Sequence, residues 1–158
     1  MLVPLRFACA ARSALAAAGL SLVALAAVAQ PAEPTPQHAA DCLAALEIQA
    51  KAMAEEMQNG KPELEPELVR RLQEGFAFIG TAYKQGVHKD EADKMLKAAE
   101  EAVKMLPPDE LATRQQACRV EGARLFENAS FIERAFVARA AQKRVDKYKQ
   151  AAKSPSTS

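Results

Sequence analysis

Along most of the chain, apolar side chains recur at alternating spacings of three and four residues. Ala39, Leu43, Leu46, Ala50, Met53 and Met57 form the first such series, the pattern of a helix that buries one face. Asn59-Gly60 closes it, because glycine readily takes the left-handed conformation found at helix ends. A second series, Val69, Leu72, Phe76, Ile79 and Tyr83, is thickened by Leu68, Phe78 and Ala82. Its helix is predicted to start near Glu65, since Pro66 is tolerated in a first turn, and to end at Gly86-Val87. Ala92, Leu96, Ala99, Val103 and Leu106 mark a third helix starting around His88 to Asp90. Asp90, Glu91 and Asp93 suit its N-terminus, and Pro107-Pro108 stops it.

The last helical region carries two conflicting signals. Leu111, Cys118, Gly122, Leu125, Ala129, Ile132 and Phe136 share one stripe that runs through residues 128–130 without a phase break. Ser130 with Glu133 is nevertheless a capping box, which starts a new helix. The unbroken stripe favours a continuous or merely kinked helix over 109–153; the alternative is two helices joined at Asn128. The expected fold is an all-α, up-down antiparallel bundle of four to five helices over 38–153. Residues 30–37, with three prolines, are expected to be a spacer, and 154–158 a disordered tail.

Composition agrees with helix: aromatic residues make up 5%, Trp is absent and alanine is abundant, whereas strands favour aromatic and β-branched residues. The N-terminus changes the picture more. Arg6 and Arg12 precede an uncharged apolar run at 14–28, and Ala27-Val28-Ala29 supplies small residues for cleavage. That order predicts a Sec-type signal peptide over 1–29, of bacterial appearance, and hence a periplasmic or secreted protein. The apolar run is shorter than the roughly 20 residues a membrane span needs.

Removal of that segment takes Cys9 with it and leaves Cys42 and Cys118. In an oxidising compartment two thiols of a small domain pair, and closing a loop of this length stabilises by about 4–5 kcal/mol in the chain-entropy model. Cys42 lies beside the Leu43/Leu46 seam and Cys118 on the last stripe, so a bridge between the first and last helical regions is sterically sensible.

Catalytic chemistry finds little material. Beyond residue 30 the serines are Ser130 and, in the tail, Ser154, Ser156 and Ser158, and the only histidines are His38 and His88. There is no G-x-S-x-G, Gly-rich phosphate loop or H-E-x-x-H, so no enzyme is expected. No C-x-x-C-H or Glu-x-x-His occurs for haem or di-iron, and no cofactor or metal is expected. His38, Asp41 and Cys42 stand at i, i+3, i+4, but oxidation of Cys42 removes its thiolate as a ligand. Met53 and Met57 lie on the first seam and are read as packing.

Beyond residue 30 the chain has 19 basic and 20 acidic residues, net −1, with no global pull toward nucleic acid. One region departs from that balance. Residues 133–153 carry seven basic side chains against two acids, and Arg139, Lys143 and Lys147 recur every four residues on one face. The sequence therefore predicts a non-enzymatic envelope protein of the chaperone-like, adaptor or inhibitor kind. Its contact surface is Arg139, Lys143 and Lys147, and its partner an envelope protein or an anionic cell-wall or membrane component. A small-ligand or metal carrier using the bundle interior is the alternative.

Overall fold

Five α-helices and no strand make up the described part of the chain, residues 32–153 of this computed structural model. The segments read as a signal peptide, 1–29, and as a tail, 154–158, lie outside those residues. Helix α1 spans Pro36–Gln58, α2 Glu65–Lys84, α3 Lys89–Lys104, α4 Pro108–Asn128 and α5 Phe131–Lys153, with a 3-10 turn at Pro62–Leu64 leading into α2.

The first helix begins inside the stretch read as a spacer. Thr35 caps it, its hydroxyl accepting from the His38 amide at 3.3 Å, and Pro36 occupies the first turn, where a missing N–H breaks no helical bond. Pro34 is buried, and its carbonyl accepts from Gln85 Nε2 at 2.9 Å. These prolines start a helix and tie its beginning to the end of α2. At that end Gly86 has φ 85°, the left-handed conformation that glycine adopts without penalty. The next amide, of Val87, donates to the Ala82 carbonyl at 3.1 Å, and the Val87 side chain is buried, the hydrophobic contact of a helix terminator.

Helix α1 is the axis on which the others are laid. It buries Ala39, Cys42, Ala44, Ala45, Leu46, Ala50, Ala54 and Met57, more than a single seam, because it has neighbours on several sides. Ala39, Cys42 and Leu46 pack with Phe78 of α2 and Cys118 of α4. Ala50, Ala54 and Met57 pack with Leu68 and Leu72 of α2 and with Ala141 and Val145 of α5. On another side Ala44 and Ala45 receive Ala99 and Val103 of α3. Small side chains at these positions let flanking helices approach closely. The expected disulfide joins Cys42 to Cys118, with their Cα atoms 5.2 Å apart.

Helix α2 buries a wider face than its apolar series indicates. Arg71 and Glu74 are buried, whereas Val69, Phe76 and Ile79 are half-buried and Tyr83 is exposed. The cause is α4, which covers the polar side of α2 at very short range. A Cβ on Gly122 would lie 2.6 Å from the Glu74 carbonyl oxygen, so only glycine fits there without a shift. Beneath it Arg71 pairs with Glu74 and, at 2.5 Å, with Glu67, which Arg119 approaches at 3.7 Å. Burial pulls the Arg71 guanidinium below its ordinary value and pushes the Glu74 carboxyl up, against the pair's mutual attraction.

The expectation of a continuous last helix is corrected. Ala129 is extended (φ −68°, ψ 150°), α4 ends before it and α5 starts after Ser130. The capping box outweighs the apolar stripe: Ser130 Oγ accepts from the Glu133 amide at 3.3 Å, and Glu133 Oε2 accepts from the Ser130 amide at 2.7 Å. Lys84 Nζ holds the other oxygen of Glu133 at 2.6 Å. These three bonds, that of Lys84 first, pull the Glu133 carboxyl down to about 2.

Candidate functional site

Restarting the helix at Ser130 resets which side chains face inward. In α5 the inward positions are Ala141 and Val145, with Tyr148 packed beside them. Ile132 and Phe136, predicted to continue the buried stripe, are instead 65% and 70% exposed, and Phe131 is 78% exposed. At 100° per residue, Ile132, Phe136, Arg139, Lys143 and Lys147 fall on one outward strip. Its first half is apolar and its second half basic.

Six of the seven basic residues predicted for this region sort into two groups. Arg144 donates to Glu47 of α1 at 2.5 Å and lies 5.6 Å from the centre of the Tyr148 ring. Lys149 reaches Glu65 of α2 at 2.5 Å, and Arg134 donates to the Glu127 carbonyl at 3.1 Å, at the end of α4. These three hold α5 in place. Arg139, Lys143 and Lys147 are all exposed, and none forms an ion pair among the described residues. In the first group Arg144 and Lys149 pair with acids of the fold and Arg134 meets a carbonyl; the second group presents its charge to solvent.

A second cluster lies where α1 meets α4. His38 Nε2 is 2.7 Å from Glu121 Oε2 and 3.7 Å from Cys42 Sγ. The sequence grouping of His38, Asp41 and Cys42 is replaced by one of His38, Cys42 and Glu121. Asp41 accepts instead from Gln37 Nε2 at 2.9 Å. Glu121 stands 83 residues from His38 in the chain, and only the register of α1 against α4 brings it there. Three residues separate it from Cys118, a helical spacing that was legible only once the bridge was assumed. Met57 is buried and Met53 packs against the same cluster. Ser130, the one serine between 32 and 153, serves the cap described above.

Two adjoining apolar crevices run along α1, of about 120 and 160 Å³. Leu43, Ile79 and Leu96 line both, and the larger one also borders Arg71 and Arg144. No helix among the described residues is long and apolar enough to cross a membrane. In comparison with known proteins, no protein family, curated protein or solved structure matches the chain.

Proposed function

We propose that the protein is a non-enzymatic, exported envelope protein that binds another macromolecule through the outward strip of α5. The observation that carries this reading is the sorting of basic residues. Arg134, Arg144 and Lys149 are engaged within the fold, while Arg139, Lys143 and Lys147 stand free of ion pairs among the described residues. Exposed Ile132 and Phe136 extend the strip, so a matching partner segment has an apolar stretch followed by acidic residues. Contiguous exposed apolar side chains mark interaction surfaces more often than scattered ones do. The residue pairings along the helices support an up-down order for the scaffold. From α1 to α4 they run His38 with Glu121, Cys42 with Cys118 and Ala45 with Gln115; from α2 to α5 they run Lys84 with Glu133 and Glu65 with Lys149. Export rests on the signal-like segment at 1–29 and agrees with the disulfide.

Crosslinking in the bacterial envelope from a photoreactive residue at position 142, beside the strip, tests the surface. A discrete protein adduct is expected. The triple variant R139E/K143E/K147E should lose it while its circular dichroism stays unchanged. The same adduct in equal yield from the triple variant would refute the assignment. The second reading, a small-ligand carrier, draws on the two joined crevices; it predicts an extra mass in a native mass spectrum of the purified protein and a melting temperature that rises with that compound.

A further inference from the structure

We propose that, once a small dithiol has reduced the Cys42–Cys118 bridge, these two cysteines together with His38 and Glu121 form a four-ligand zinc site at the seam of α1 and α4. The donor set is two thiolates, one imidazole and one carboxylate, ligand types that zinc takes in tetrahedral sites. The placement on the helices is regular. His38 and Cys42 stand four apart on α1, and Cys118 and Glu121 stand three apart on α4, so each helix offers two donors on one face. The helices are registered so that His38 faces Glu121 and Cys42 meets Cys118.

Three of the four donors already stand close together. Donor atoms of His38, Cys42 and Glu121 all lie within 4.8 Å of one another. A tetrahedral zinc with bonds of about 2.0–2.3 Å sets its donors roughly 3.3–3.8 Å apart. His38 Nε2 and Cys42 Sγ, at 3.7 Å, already satisfy that spacing. His38 Nε2 and Glu121 Oε2, at 2.7 Å, need to open slightly, and the cysteine sulfurs part once they are no longer bonded. His38 is exposed and Glu121 half-buried, which gives an ion a path from solvent. Arg124, 3.8 Å from Glu121, is the one arginine or lysine paired with that carboxylate among the described residues.

The chemistry balances. The dithiol supplies two electrons and two protons, its own sulfurs become a disulfide, and Cys42 and Cys118 become thiols. Zinc binding then releases the two thiol protons as the sulfurs bind as thiolates. Bridge and metal are mutually exclusive occupants of the same sulfurs, so the seam is closed by a covalent bond in one state and by an ion in the other.

The test uses the full chain, reduced with a phosphine under anaerobic conditions and titrated with cobalt(II) as the spectroscopic stand-in for zinc. One equivalent should bind, giving a thiolate-to-cobalt charge-transfer band with intense tetrahedral d–d bands, and zinc should displace it. H38A and E121Q should each weaken binding by about tenfold or more, since even outer-shell changes at such sites cost roughly 10–100-fold. E121Q preserves a hydrogen-bonding group beside His38, so its loss of affinity reports the carboxylate itself. Absence of the charge-transfer band, or wild-type affinity in both H38A and E121Q, overturns the proposal. Circular dichroism guards against loss of fold on reduction: helix that melts and returns with zinc supports the site, and helix that melts and does not return refutes it.

Discussion

Helices α1 and α5 are each 23 residues long, yet the fold treats them oppositely. The first is enclosed, burying eight side chains of which five are alanine. The second touches the bundle along a narrow strip, burying Ala141 and Val145 and relying on ion pairs at its margin. Alanine makes the difference possible in opposite ways. On α1 it lets neighbours close in from several sides; on α5 it leaves the inward face thin, so the large apolar side chains of its first turns stay outside. An enclosed helix is committed to stability, and one attached along a single edge keeps a whole face for contact.

The comparison can be broken most forcefully at the bridge that anchors α1. Replacing both cysteines by serine removes a link between residues 76 apart and should cost about 4 kcal/mol, read as a lower midpoint in chemical denaturation. Next comes Leu46→Ala on α1, fully buried among Phe78 and the cysteines. It should cost about 3 kcal/mol in the same assay, within the usual range for such truncations.

Effects on α5 should be smaller. Ser130→Ala removes its cap and should cost about 1 kcal/mol. The partner bond has a pH signature with a definite sign. Glu133 is held at about 2 in the folded protein against an ordinary 4.5, so its contribution is complete above pH 4.5 and fades as pH falls toward 2. E133Q should flatten the acid limb of the melting profile in that window; an unchanged profile would mean that neither Lys84 nor the cap holds the Glu133 carboxylate. Smallest of all, Phe136→Ala should change stability by less than about 0.5 kcal/mol, though it removes more side chain than Leu46→Ala does. A loss near that of Leu46→Ala would show that Phe136 is packed, and would erase the contrast between the two helices.

Much of this was legible in the spacing of apolar residues. The starts of α2 and α3, the glycine ends and the disulfide follow from local rules and from the number of cysteines. Two of the misses come from what a helical period leaves out: it reports one face and says nothing of how many neighbours a helix has or where its backbone breaks. Arg71 and Glu74 lie outside the apolar series of α2, and the chain does not announce that Gly122 will bring α4 down upon them. Ile132 and Phe136 read as buried because an apolar stripe can run through a break in the backbone without changing its apparent phase. There the two-residue signal, Ser130 and Glu133, carried more information than the seven-residue one: a reciprocal pair of hydrogen bonds fixes the local dihedral angles, whereas a stripe needs a neighbour to give it meaning. The basic strip was visible as a charge run, but its division into anchoring and free residues depended on Glu47, Glu65 and the end of α4, all distant in sequence. Glu121 was hidden for the same reason.

The disulfide also divides the molecule topologically. It makes a covalent ring from Cys42 through α2 and α3 to Cys118, and α5 lies outside that ring. A single cut in any connection between 43 and 117, such as the loops at 59–61 or 85–88, leaves every piece of the oxidised protein tethered to the rest. A cut at 129–130 severs α5, and with it the outward strip, from a ring that stays closed. The stretch that carries the proposed contact surface is thus joined to the scaffold by a single strand of backbone.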